Sequence, residues 1–305
     1  MNNTKTLIVL AGPTAVGKTE LSLQIAHHYN CPIISADSRQ IYKEIKIGTA
    51  APTAEQLSQA KHYFIGHKSI HDYYSAWEFE QDTLALLEKL FNNHDYVLMT
   101  GGSMMYIDAV CNGIDEIPTI SDDVRGAVWN EYETYGLQHM LDKLKALDPT
   151  FYAQADHNNA KRIIHAVEIC LESSKPYSSL RTGKIKERPF RIVRICLNRE
   201  REELFERISQ RVDQMINDGL IEEAKQYFEL RHLNSLNTVG YKEIFQYLAG
   251  EIDLEEASRL IKRNTRRYAK KQLAWFRLRN QYHWFDLNEK KDFFAFFNKT
   301  VETIE

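Results

Sequence analysis

The stretch LIVLAGPTAVGKT at residues 7–19 decides the fold. Leu7, Ile8, Val9, Leu10 and Ala11 form a short apolar run with β-branched members, the composition of a strand buried on both faces of a parallel sheet. Gly12, Pro13, Thr14, Ala15, Val16, Gly17, Lys18 and Thr19 then fit the spacing G-x-x-x-x-G-K-[ST]. With Gly near 7% of average usage, a chance match in a chain of this length is about a one-per-cent event. From Thr19 onward, Glu20, Leu21, Leu23, Ile25 and Ala26 continue as a helix. A strand, a glycine loop and a helix start aim backbone N–H groups and the positive helix end at phosphate oxygens. Lys18 adds a point charge, and the Thr19 hydroxyl is of the type that ligates Mg²⁺. The stretch predicts a chain that handles a di- or triphosphate.

Working outward, the runs Thr6–Ala11, Pro32–Ala36 and Tyr96–Thr100 read as core strands with helical patterns between them. That alternation predicts an α/β fold: a P-loop-type parallel sheet flanked by helices, with its sites at the carboxyl ends of the strands. Each run ends in suitable residues: Gly12, Asp37-Ser38 and Gly101-Gly102-Ser103. From about Asn112 to Ser179 strand patterns give way to amphipathic helices (Asp122–Tyr135, Leu137–Leu147, Asn159–Leu171). Phe190–Leu197 reads as a strand returning to the sheet, and Tyr282–Phe285 as a last short one. The predicted organisation is a core of residues 1–112 and 180–305 with an inserted all-helical subdomain at 113–179.

The formal charge of −3 requires that any nucleic-acid partner be held by a local basic patch. Cys31, Cys111, Cys170 and Cys196 are far apart, without Cys-x-x-Cys spacing, and the histidines form no H-E-x-x-H motif. These features predict a reduced protein with no dedicated transition-metal site. No apolar run approaches a signal segment or a membrane span, so a cytoplasmic protein that makes no use of a membrane is expected. No long heptad stripe is left over, and a monomer is expected.

Four further features bear on chemistry. Asp37 follows the second strand; a carboxylate there accepts a proton from a nucleophile or holds water on Mg²⁺, or simply caps a helix start. The third strand lacks a terminal metal-organising Asp and runs into Gly101-Gly102-Ser103, glycines that admit close backbone approach and a hydroxyl that can bond a ligand. Lys262–Arg279 holds Lys262, Arg263, Arg266, Arg267, Lys270, Lys271, Arg277 and Arg279 and no acid. At helical spacing Arg259, Arg263, Arg266, Lys270 and Arg277 share one face, and Ala257, Ile261, Tyr268 and Trp275 another, the pattern of a helix that docks by an apolar stripe and offers a basic ridge to a phosphate backbone. Arg207 and Arg211 (i, i+4) form either a diphosphate clamp or surface pairs with Glu203 and Glu206.

Taken together, these residues resemble the tRNA dimethylallyltransferase family. The matching segments are GPTAVGKT at 12–19, DSRQIY at 37–42, IGTAAP at 47–52, YSAWEF at 74–79, GGSMMY at 101–106, RISQRVDQMINDGL at 207–220, VGYKEI at 239–244 and TRRYAKKQLAWFR at 265–277. The resemblance implies transfer of a dimethylallyl group from dimethylallyl diphosphate to N6 of adenosine 37 in tRNAs reading codons that begin with U, with Mg²⁺ and release of diphosphate. Gly12 to Thr19 and Arg211 are implied to hold the diphosphate, with Thr19 on Mg²⁺. Asp37 is implied as the proton acceptor, and Lys18, Thr19 and Ser103 as its catalytic company. The anticodon stem-loop is the implied partner of Asp37, Ser38, Arg39, Gln40 and Ser103 at the flipped base. Arg125, the segment Lys161, Arg162, Ile163, Ile164 and His165, and Arg263, Arg266, Arg267 and Lys270 are its implied contacts elsewhere. Departures from the family pattern are Ser103-Met104-Met105 for the usual T-G-L, Ala51 for a usual Lys, and His165 for a usual Arg. A kinase or isopentenyltransferase of a free nucleotide needs neither a basic helix nor an insertion; a prenylation-dead tRNA-binding paralogue is the other alternative.

Overall fold

The computed structural model describes residues 5–279, 281–289 and 292–302. Strands β1 (Thr6–Ala11), β2 (Ile33–Ala36), β3 (His62–Tyr63), β4 (Tyr96–Gly101), β5 (Arg191–Asn198) and β6 (His283–Asp286) form a parallel sheet in the order β3-β2-β4-β1-β5-β6. This is the predicted P-loop-type α/β core. The two-residue edge strand β3 was not predicted, because two residues carry no periodicity.

Every residue of β1 is buried, as expected of a central parallel strand covered on both faces. Alternate side chains point to opposite sides of the sheet. Leu7 and Val9 join Ile34 and Met99 in one apolar layer, while Ile8 and Leu10 join Ile33, Leu98, Val193 and Ile195 in the other. The chain leaves β1 toward β2 on one side and later returns to β5 on the other, so a crevice opens at the carboxyl end of β1.

Register then places the chemistry. Gly101 pairs with both Ala11 and Ala36, so Gly12, Asp37 and Gly102 leave the sheet along one edge. The backbones are so close that a Cβ on Gly101 would lie 2.1 Å from the Ala36 carbonyl oxygen. Around the sheet, the segment YSAWEF acquires a physical meaning. Ser75 caps the helix Ala76–Leu90, and Glu78 reaches back to the Ser75 N–H, forming a capping box.

The chain divides into two compact units, one running up to Cys111 and from Arg188 onward, the other Asn112–Glu187. The second boundary falls at Arg188, where the sequence reading put it at 180. Asp115 accepts hydrogen bonds from Thr182 Oγ1 and Gly183 N, and Lys186 N donates to Asn112 O, tying the strand-less 182–186 segment to the start of the insertion. Within this unit, helices Asp122–Leu147 and Ala160–Ser173 pack around Val128, Met140, Leu144, Phe151, Ile163 and Val167. The first of them breaks at Gly136 (φ 75°), the junction between the two predicted segments. Buried Asp148 ends it and accepts bonds from Phe151 N, Ser178 N and Ser178 Oγ.

Candidate active site

At the carboxyl edge of β1, β2 and β4 lies a cavity of about 570 Å³ lined by Thr14, Gly17, Lys18, Thr19, Asp37, Gln40, Thr49, Gly102, Arg207, Arg211, Tyr268 and Gln272, among others. The glycine loop enters it directly from β1. Gly17 caps the helix Lys18–His28 at φ 116°, a left-handed conformation that side-chain-bearing residues seldom adopt. Val16 is turned the other way, its side chain fully buried in the core, so only its backbone belongs to the loop surface.

Lys18 curls over the loop, its Nζ donating to Gly12 O at 2.9 Å and Pro13 O at 2.8 Å. Burial, and secondarily the positive charge of Arg211, lower its pKa to about 8, while Asp37 opposes the shift. Burial also lowers Arg211, again against the charge of Asp37. The three charges are therefore electrostatic neighbours: two cations and one carboxylate at a single cavity. Arg207 does not pair with Glu203 or Glu206. Its Nε donates to Ala15 O at 2.9 Å, while Glu203 pairs with Arg199, so Arg207 is turned onto the glycine loop and not into a surface ion pair.

Asp37 Oδ1 accepts from Arg39 N at 2.9 Å and Gln40 N at 3.3 Å. Asp37 thus caps a turn, where the sequence reading offered a helix start, and it lines the cavity. Ser103 is buried and locks onto the same turn, its Oγ accepting from Ser38 N at 2.8 Å and donating to Ser38 Oγ at 3.1 Å. Above them stands Tyr268, whose hydroxyl burial, and next the charge of Asp37, push up to about 12.

Several predicted tRNA contacts have different duties in this structure. Gln40 spends its amide on the protein: Nε2 donates to Thr49 O and Ala50 O, and Oε1 accepts from Ser35. The Arg39 guanidinium donates to Asn234 O and Ser235 O. Ile163 and Ile164, 0% and 1% exposed, are core residues of the helical unit and cannot meet RNA; the K-R-x-x-H spacing of Lys161, Arg162 and His165 includes them only because a helix must turn inward between its exposed positions. Lys161, Arg162 and His165 are exposed, with His165 Nδ1 3.5 Å from Glu168, and Arg125 is partly exposed. On the helix Leu254–Leu278, Arg267 and Lys270 are exposed and Arg263 and Arg266 partly so; Arg266 and Lys270 lie over the Phe205 ring. The buried stripe of that helix runs through Ala257, Ile261, Ala269, Gln272 and Phe276, and departs from the predicted one at Tyr268 and Trp275. Trp275 is partly buried and donates its indole N–H to Asp108 at 3.0 Å.

Two residues that fasten the walls of the cavity escaped the sequence reading. Glu223 accepts from Lys46 N, Ile47 N and Gly48 N at 2.8–3.0 Å and from the Tyr241 hydroxyl, pinning the IGTAAP loop that forms one cavity wall. Gln272, 1% exposed, bonds both the glycine loop and the Gly101–Ser103 turn. Their signal in the sequence is a single polar residue in a helix, which solvent would satisfy equally well.

The IPP transferase profile matches residues 40–279. The chain belongs to the IPP transferase family. It is 55% identical over 295 residues to "tRNA dimethylallyltransferase 2" of Parabacteroides distasonis, covering 97% of this chain and 99% of that one. It is 52% identical to "tRNA dimethylallyltransferase 1" of Bacteroides fragilis, with 98% and 99% covered. Among solved structures, the full-length tRNA isopentenylpyrophosphate transferase of Bacillus halodurans superposes with a TM-score of 0.70 at 36% identity, over 97% of this chain and 94% of that one. In this IPP transferase one of the family departures, Ser103, sits at the site itself, bonded to Ser38 next to Asp37. Met105 is 48% exposed, and Ala51 lies on the loop held by Glu223.

Proposed function

We propose that the chain transfers the dimethylallyl group of dimethylallyl diphosphate to N6 of adenosine 37 in tRNAs reading codons that begin with U, releasing diphosphate. The observation that carries this reading is the gathering of Lys18, Arg211, the loop amides and Asp37 at one cavity: an anion holder and a carboxylate base side by side. As the allylic C–O bond breaks, negative charge collects on the leaving diphosphate, and donors already aimed at it stabilise that charge without reorganising. The adenine amine attacks the allylic carbon, and the new C–N bond makes its proton acidic. Asp37 takes that proton; its Oδ1 is engaged by Arg39 N and Gln40 N, so Oδ2 is the atom assigned to the transfer.

The donor set suits a diphosphate-bound Mg²⁺. Thr19 is exposed at the cavity, and among the described residues no cluster of three or more His, Cys, Asp or Glu forms a protein cage. Thr19 would be the residue that holds such an ion, with phosphate oxygens and water completing its shell. When bound it would supply charge neutralisation to the leaving group.

The target adenine reaches the cavity by leaving the anticodon stack, as in other base-modifying enzymes. Tyr268, which lines the cavity, and the Ser38–Ser103 pair beside Asp37 would flank it there. Arg263, Arg266, Arg267 and Lys270 would hold the phosphate backbone, and Arg125, Lys161, Arg162 and His165 would serve the anticodon stem-loop from the helical unit. The working form proposed is a cytoplasmic monomer. No helix among the described residues is long and apolar enough to cross a membrane.

The test is mass spectrometry of nucleosides after incubation with Mg²⁺, dimethylallyl diphosphate and tRNA, beside tubes containing AMP or ATP. One added dimethylallyl group on tRNA adenosine alone is expected. Modified AMP or ATP, or no product, would overturn the reading.

A further inference from the structure

Gln272 is a polar side chain buried to 1% exposure, on the same helix as Arg267 and Lys270. Its two amide atoms are divided between two other elements. Oε1 accepts from Thr14 N at 3.0 Å, in the glycine loop, and Nε2 donates to Gly102 O at 2.8 Å, in the turn after β4.

Each of these bonds holds a rigid peptide plane, and each plane has a second end. Thr14 N–H belongs to the same peptide as Pro13 C=O, which points the other way and accepts from Lys18 Nζ at 2.8 Å. Gly102 C=O belongs to the same peptide as Ser103 N–H, which donates to Ala36 O at 3.2 Å. That in turn sets Ser103 Oγ against Ser38 N, one residue after Asp37. The contact at Gly102 has no room for a larger residue: a Cβ there would lie 2.3 Å from Gln272 Nε2.

We infer that Gln272 is a positioning residue that holds the diphosphate loop and the Gly101–Ser103 turn in one register, aiming Lys18 at the donor side and Ser103 at the acceptor side of the reaction. The inference rests on reading residues 12–19 as a diphosphate holder. No other single side chain described here bonds both segments, and it does so from the helix whose cations are proposed to meet RNA.

The experiment is calorimetric titration of the full chain with pyrophosphate and Mg²⁺, with thermal melting of each variant alongside. Gln272→Leu keeps the volume but strands Thr14 N–H and Gly102 O, and should weaken pyrophosphate binding about tenfold. Binding within twofold of wild type, with only the melting temperature lowered, would make Gln272 a core residue and overturn the inference. Gln272→Glu separates the two bonds. The carboxylate still accepts from Thr14 N–H but cannot donate to Gly102 O, whereas the protonated acid does both. Its affinity relative to wild type should therefore recover as pH falls and the buried carboxyl takes up its proton. A pH-independent ratio would count against the assignment, even if the Leu variant does not fold. Wild-type protein that binds pyrophosphate with these ratios but prenylates no tRNA would overturn the proposed function and uphold the role of Gln272. Wild-type protein that binds no pyrophosphate would overturn both.

Discussion

Following diphosphate affinity against pH in the wild type and in Lys18→Met tests whether the loop lysine is the charge that holds the leaving group. Burial and Arg211 lower the Lys18 pKa to about 8, so the free protein loses this cation as pH rises through that value. Binding needs the ammonium, and a bound diphosphate keeps it charged, so the observed Kd grows as 1 + 10^(pH−8). The factor is about 1.1 at pH 7 and about 11 at pH 9, a loss of about tenfold in affinity. Lys18→Met carries no charge at either pH. Ionisation of the ligand affects both proteins alike and cancels in their ratio. The expected result, from calorimetric titration with pyrophosphate and Mg²⁺, is that the advantage of wild type over Lys18→Met shrinks about tenfold between pH 7 and pH 9. An ordinary lysine, with a pKa near 10.4, would change it by only about 4%. A flat ratio would therefore refute the account of a buried Lys18 beside a second cation. Arg211→Ala removes the second cause of the lowered pKa, and should move the alkaline loss to higher pH as well as weakening binding.

Asp37→Asn preserves an acceptor for Arg39 N and Gln40 N and so keeps the turn, but abolishes the base. Prenyl transfer should fall by about 10²- to 10⁴-fold with tRNA affinity within a few-fold of wild type, by product mass spectrometry and filter binding; an equal loss of tRNA binding would rule out the proton-acceptor role. Arg267→Ala should reduce the slope of log Kd for tRNA against log salt by about 0.7–0.9, the value of one phosphate contact, and an unchanged slope would remove this exposed cation from the interface. Ile163→Ala should cost about 2–5 kcal/mol of stability in chemical denaturation and leave tRNA affinity of the folded protein unchanged. Weaker tRNA binding without loss of stability would contradict its place in the core.

Apart from the two-residue β3, the strands were legible to within a residue or so, β1 and β4 most directly because a buried parallel strand is a short, nearly continuous apolar run bounded by turn residues. The two arms of the helix Asp122–Leu147 were legible for a similar reason, with Gly136 as the break between them. The buried stripe of Leu254–Leu278 was read through Tyr268 and Trp275 and in fact passes through Gln272 and Phe276. Apolarity is a guide to burial only where the polar atoms of a buried side chain have no partner elsewhere, and Gln272 has two. Ile163 and Ile164 show the opposite error: residues lying between exposed cations in sequence point away from them on a helix.

The amino-acid sequence by itself determined the chemistry that this chain can hold. The run into Gly12–Thr19 prescribes a strand, an anion-holding loop and a helix, because glycine spacing and the backbone N–H groups are local properties of the chain. What only the tertiary structure decided is the assembly of that loop with the rest. Register brings Gly12, Asp37 and Gly102 to one edge, burial moves Lys18 to about 8, Arg207 turns onto a loop carbonyl, and Gln272 and Glu223 fasten segments far apart in sequence. Hydrogen bonds and desolvation depend on what the fold places within about 3 Å of an atom, and no local pattern of residues specifies that neighbour.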